Sequence, residues 1–159
     1  MAERMRAMLA GAAGAVLLAA ALGVAAFGAG YTVDTAAITV KGMSANVLTD
    51  EKGMTLYYVS SDTPSTSSCT GGCAQIWPPM LSTSTPTSGN KLPGKLSVVK
   101  TANGEQVAYN GHLLYTFADD QPGQVTGQGV QGFFVATPGL TPLTGSPAPA
   151  APAGNPYGY

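Results

Sequence analysis

Beyond its first thirty residues, the chain alternates short apolar runs with clusters of Gly, Asn, Ser, Thr and Pro. The apolar runs are Ala37–Lys41, Ala45–Thr49 and Met54–Val59, then Leu96–Lys100, Gln106–Tyr109 and Leu113–Phe117. Each has the length and flanks of a β-strand. The turns between them are Lys41-Gly42, Glu51-Lys52-Gly53, Ala102-Asn103-Gly104 and Asn110-Gly111. Asn-Gly between apolar runs favours a tight hairpin, because both residues tolerate positive φ. The pattern predicts two three-stranded meanders, packed face to face or curled into one barrel. No segment after the leader carries a convincing helical period, so the expected fold class is all-β, a two-repeat antiparallel sheet domain.

The two meanders share more than pattern. Lys52–Pro64 reads KGMTLYYVSSDTP and Asn110–Pro122 reads NGHLLYTFADDQP, with Gly53/Gly111, Leu56/Leu114, Tyr57/Tyr115, Asp62/Asp120 and Pro64/Pro122 each 58 apart. A turn glycine, a Leu-Tyr strand and an Asp-x-Pro exit make one supersecondary unit, present twice. Leu56 and Leu114 are expected in the core. Tyr57 and Tyr115 are expected at a sheet surface or interface, with the hydroxyl wet or hydrogen-bonded. Asp62 and Asp120 close their strands where a carboxylate caps backbone N–H groups. Nothing in the sequence brings the two carboxylates together as an acid–base pair. Asp119 beside Asp120 offers only a thin oxygen site for a hard cation.

The ends of the chain add a compartment. Arg4 and Arg6 precede 24 uncharged residues, Ala7–Gly30, enough to span a bilayer, which takes ~20 residues. Residues 1–30 therefore read as a membrane anchor with the remainder exported, or as a signal peptide cleaved near Gly28-Ala29-Gly30. The expected location is the cell membrane, single-pass with the domain extracytoplasmic, or the exterior after cleavage. Residues 31–137 form the expected β domain, repeat one over 36–80 and repeat two over 95–137. Residues 138–159 hold six prolines among Ala and Gly and read as an extended, disordered tail. From Tyr31 onward five lysines and no arginine face seven acidic groups, leaving a formal charge of −2. Such a surface does not attract nucleic acid.

The candidate chemistry sits between the repeats, in STSSCTGGCAQIWPPM from Ser65 to Met80. Cys69 and Cys73 are the only cysteines, and in an exported chain a pair this close is expected to form a disulfide. The ring closes five residues, for roughly 2 kcal/mol of chain-entropy stabilisation. Gly71-Gly72 lets the backbone turn, and Pro78-Pro79 ends any short helix begun at Ala74. The competing reading is a soft-metal site: two thiolates with His112, the only histidine, and a methionine such as Met54 or Met80 would suit copper. Catalysis by a Cys–His pair is poorly supported, because an oxidising compartment consumes the thiol.

Together GMTLYYVSSD, SCTGGCAQIWPP and YNGHLLYTFADDQPG resemble the bacterial secreted-repeat-of-unknown-function family, described as predicted lipoproteins with a Tyr-x-(Phe/Trp/Tyr)-x-x-Asp motif. The resemblance covers roughly 40–134. The second copy matches at Tyr115, Phe117 and Asp120; in the first, Val59 stands where an aromatic residue is expected between Tyr57 and Asp62. No cysteine stands directly after the apolar leader, so a peptide anchor is expected in place of that family's lipid anchor. The resemblance implies an exported domain with no established enzymatic activity and lends no catalytic residue; no cofactor is expected, copper being the alternative. Two functions are expected from these residues: a non-enzymatic accessory or interaction subunit of a membrane complex, or a copper or redox accessory protein of a respiratory complex using Cys69, Cys73 and His112.

Overall fold

The computed structural model describes residues 31–143. The anchor or signal peptide over 1–30 and the tail from 144 onward lie outside the described residues. Among the described residues no helix is long and apolar enough to cross a membrane. The body is mostly β. It contains β1 (Val33–Val40), β2 (Met43–Asp50), β3 (Tyr57–Val59), β4 (Leu96–Thr101), β5 (Gly104–Tyr109), β6 (His112–Leu113) and β7 (Phe133–Val135), with one short helix, α1 (Gly72–Ile76).

The expected turn chemistry is realised at two hairpins. Lys41 and Gly42 take φ of 48° and 84°, and Asn110 and Gly111 take 51° and 82°, the paired positive values of a tight hairpin turn. Consequently β1 pairs with β2 from Val33↔Asp50 to Val40↔Met43, and β5 with β6. The β4–β5 turn has its positive φ at Gly104, 119°, and not at Asn103, yet β4, β5 and β6 still form the expected three-stranded meander.

The first repeat departs from its expected meander. Thr55 still bridges Thr49, and the Leu56 N–H still reaches the Leu48 carbonyl at 2.9 Å. At Tyr57 the chain leaves this hairpin. Strand β3 pairs instead with β7 of the second repeat, Tyr57↔Val135 to Val59↔Phe133. The exit of the first repeat makes the reciprocal move: the Met80 N–H donates to Leu114, and the Met80 carbonyl accepts from Val107. In the other half, the Ala136 N–H donates to Leu56 and its carbonyl accepts from Leu48. The repeats thus exchange their last extended segments. Three small antiparallel sheets, of two, two and three strands, replace two stacked meanders.

At the centre, Tyr57 and Tyr115 face each other as an antiparallel pair, joined by N–H···O bonds of 2.8 and 2.9 Å. Side chains alternate across this pair. Leu56 and Leu114 point into a cluster with Val33, Leu48, Val107, Tyr109 and Ala136. Tyr57 and Tyr115 point into the other cluster, with Val59, Cys69, Trp77, Phe117 and Phe133. All four residues are fully buried, which places the leucines as expected and, of the surface or interface expected for the tyrosines, puts them at the interface between the repeats.

The aromatic cluster tolerates no added volume at Gly127. A Cβ built there would lie 2.6 Å from the Trp77 ring and 3.2 Å from Phe117. Gly127→Ala is expected to destabilise the fold by about 1–3 kcal/mol through overpacking, seen as a lower midpoint in urea unfolding. An unchanged midpoint would show that the ring can slide away freely.

The ordered body also extends past Thr137. The Pro138 carbonyl accepts from the Tyr109 hydroxyl at 2.7 Å and the Leu140 carbonyl from Asn110 Nδ2 at 2.6 Å, while the Leu143 N–H donates to Asn110 at 2.9 Å. Residues 138–143, read from composition as the start of a tail, are strapped to the second repeat because buried polar groups of that repeat need partners.

Candidate functional site

The repeated motif assembles into two crossed pairs. The Tyr57 hydroxyl donates to Asp120 Oδ2 at 2.5 Å, and the Tyr115 hydroxyl donates to Asp62 Oδ2 at 2.6 Å. Each tyrosine therefore bonds the carboxylate of the other repeat. The second carboxylate oxygen does the expected capping. Asp62 Oδ1 accepts from the Ser68 N–H and hydroxyl, both at 2.7 Å; Asp120 Oδ1 accepts from the Thr126 N–H at 2.8 Å and hydroxyl at 2.6 Å. Ser68 and Thr126 are again 58 apart, a further matched position that the sequence reading missed because Ser and Thr are not identical. Asp62 and Asp120 are buried, and Asp119 beside the latter is exposed. Both oxygens of each buried carboxylate accept hydrogen bonds, one from the other repeat's tyrosine and two from its own loop, so this arrangement holds the halves together.

The phenols feel this burial. Desolvation first, and then the bonded Asp120 carboxylate, hold the Tyr57 hydroxyl well above the usual tyrosine value; burial and Asp62 do the same for Tyr115. The sign follows from linkage: with the folded value above the unfolded value of ~10, the stabilisation is complete below pH ~10 and is lost as pH rises beyond it. An ultraviolet phenolate titration is expected to leave Tyr57 and Tyr115 un-ionised until the protein unfolds. Native protein in which every tyrosine ionises near ~10 would contradict the crossed pairs.

His112 belongs to a different corner. It is mostly buried, its Nε2 lies 2.9 Å from the Thr141 carbonyl, and its ring meets Tyr58 edge-on at 4.7 Å. Burial lowers its affinity for a proton, against smaller opposing effects of Thr141 and Asp62. Met54 begins the segment before β3, its N–H on Asp50 Oδ1. Cys69 and Cys73 are joined to each other in a disulfide, with Cα atoms 5.2 Å apart. The donors of the copper reading are therefore not brought together: the sulfurs bond one another, and the His112 nitrogen faces a carbonyl. Among the described residues no group of three or more His, Cys, Asp or Glu is placed to hold a metal ion.

Where the repeats differ, a groove opens. Its volume is about 460 Å³, and it is lined by Val59, Ser61, Ser68, Cys69, Gly72, Cys73, Ile76, Gln131 and Phe133. The two halves diverge here residue by residue. Phe117 in the second repeat stacks on Trp77 at 4.3 Å; its counterpart Val59 is smaller and leaves the groove wall open. Gly127 sits where the first repeat has Cys69, and Gln131 where it has Cys73. Gln131 takes a left-handed φ of 52° and accepts from the Trp77 indole N–H at 2.9 Å. Trp77 itself is sandwiched, with Phe133 stacked 3.8 Å away. Helix α1 is begun at Gly72, two residues before the position read from sequence, and it ends at Ile76 before Pro78-Pro79 as expected. Ile76 projects from it and is 44% exposed.

Residues 38–80 and 97–135 each match the family described as "secreted repeat of unknown function". The chain belongs to this family. Each matched segment ends in an exchanged stretch, Met80 in the first and β7 in the second, so the secreted repeat as matched is one half of an interlocked pair. The motif tyrosine and aspartate of the secreted repeat bond across the halves, which explains why the motif comes twice in one body. No curated protein and no solved structure matches the chain.

Proposed function

We propose that this secreted-repeat domain is a non-enzymatic accessory or interaction subunit, tethered to the membrane by the uncharged run Ala7–Gly30 and held on its extracytoplasmic face. The observation that carries this reading is the groove beside the Cys69–Cys73 staple. It is lined by the exposed Ile76 together with the buried Val59 and Phe133, at the point where the repeats differ, on a body locked by buried Tyr–Asp bonds. A rigid body with an accessible apolar hollow and a few polar groups suits recognition of another chain. The residues that could have done chemistry support the same view: both carboxylates and both phenols are occupied in holding the halves together.

The test is purification of the full-length chain from membranes in mild detergent, compared with an Ile76→Asp variant. The expected result is recovery of the wild type within a larger complex and loss of that complex in the variant, with both proteins equally folded by circular dichroism. Recovery of the wild type as a lone monomer would overturn the accessory role. A complex indifferent to Ile76→Asp would remove the groove from it.

A further inference from the structure

We infer that Cys69–Cys73 is an exchangeable disulfide, whose Cys73 sulfur meets the thiol of a cysteine-bearing partner chain seated in the adjoining groove. The two sulfurs are unequal. Cys69 is 1% exposed within the aromatic cluster, whereas Cys73 is only half-buried and both line the groove wall. Thiol–disulfide exchange needs one accessible sulfur and one that can leave and later return, and this asymmetry supplies both.

The surroundings allow the bond to open without unfolding the domain. Cys69 is held by its backbone: its N–H donates to Ser67 Oγ at 3.2 Å, and its carbonyl accepts from Asn103 Nδ2 at 2.9 Å. Ser68 is pinned to Asp62, and Trp77 is fixed by Phe117, Phe133 and Gln131. Between the cysteines, Gly71 and Gly72 meet nothing within 4 Å of where a Cβ would stand, so the ring has open space in which to relax. A five-residue ring also removes little unfolded-chain entropy, so the bond contributes modestly to stability. A staple with these properties is dispensable to the fold. The groove beside it offers the exposed Ile76 to apolar side chains and the exposed Ser61, Ser68 and Gln131 to a passing backbone.

The exchange balances as follows. A partner thiolate attacks Cys73 Sγ; the Cys69–Cys73 bond breaks, a Cys73–partner bond forms, and Cys69 leaves as a thiolate that takes up a proton. The partner's second thiolate then attacks its own sulfur in the mixed disulfide and releases Cys73. The partner dithiol is oxidised to a disulfide, its two protons end on Cys69 and Cys73, and the reverse sequence reoxidises this chain. The inference uses the same groove as the proposed function, but its test needs no captured complex.

Oxidised full-length protein in mild detergent is equilibrated with graded mixtures of reduced and oxidised glutathione, then acid-quenched, alkylated and weighed by mass spectrometry. The expected result is reversible two-electron reduction of the folded protein, with near-ultraviolet circular dichroism retained. A bond that stays closed at every mixture until denaturant is added would overturn the inference. In parallel, Cys69→Ser is expected to form the glutathione mixed disulfide at Cys73 about tenfold faster than Cys73→Ser does at Cys69, because only the former thiol is accessible. Equal rates, or the reverse order, would equally overturn it. Failure of the Ile76→Asp capture experiment with success here would leave an exchange site without a docked complex.

Discussion

Trp77→Ala is expected to cost about 3–5 kcal/mol of folding stability, the range for deleting a fully buried large aromatic side chain. Trp77 is wholly inaccessible, stacked on Phe133 at 3.8 Å with planes 4° apart and on Phe117 at 4.3 Å, with the edge of Tyr57 5.3 Å away. Removing the indole leaves a cavity bounded by three rings that belong to different elements, and it strips the Gln131 carbonyl oxygen of its donor. Two of the walls, Tyr57 and Phe133, sit on β3 and β7, which are held by their own ladder and resist closing in. Against a typical total of roughly 5–15 kcal/mol, the loss decides whether the domain stays folded. Urea unfolding followed by far-ultraviolet circular dichroism measures it, and Trp77→Phe is expected to recover part of the loss by refilling one stack. A cost for Trp77→Ala below about 1 kcal/mol would mean that the sandwich is not the centre of the core.

Much of this body is written in local chemistry. Lys41-Gly42 and Asn110-Gly111 set two hairpins because their residues accept positive φ, and the pairings β1–β2 and β5–β6 follow from them. The closely spaced cysteine pair and the Pro78-Pro79 stop were legible for the same reason: each acts over a few residues. What stayed hidden is non-local. An alternating run says that a strand has two faces but not which strand lies beside it. The departure of β3 to β7, and of Met80 to the second repeat, depends on which hydrogen-bonding edges remain open after the hairpins close. The 58-residue offset held a usable signal. Extending it to chemically similar residues adds Ser68 and Thr126, the partners of Asp62 and Asp120. The groove was legible only as a difference, Val59 against Phe117 and two cysteines against Gly127 and Gln131. Its shape required knowing that these equivalent segments converge.

The crossed bonds make the second large effect testable in a form that separates this topology from two meanders side by side. Tyr57→Phe removes a hydroxyl and nothing else. It leaves Asp120 Oδ2 buried without its donor and the Gly127 N–H, 3.3 Å away, without an acceptor. A hydrogen bond to a charged group in such a place is worth about 1.5–3 kcal/mol, and a buried group left unpaired carries its full desolvation cost. Asp120→Asn weakens the same bond from the other side. The double variant is therefore expected to lose less than the two single losses combined, with a coupling of about 1–2 kcal/mol, inside the range for residues in direct contact. Tyr57→Phe with Asp62→Asn is expected to be additive within about 0.5 kcal/mol, because Asp62 bonds Tyr115 and shares no hydrogen bond with Tyr57. The prediction inverts what sequence proximity suggests, since Tyr57 is five residues from Asp62 and 63 from Asp120. Coupling within a repeat and additivity across repeats, read from the same unfolding curves, would disprove the exchange. Coupling across repeats means that half of each motif's bonding lies in the other copy, so that neither repeat has a complete core until the other is in place.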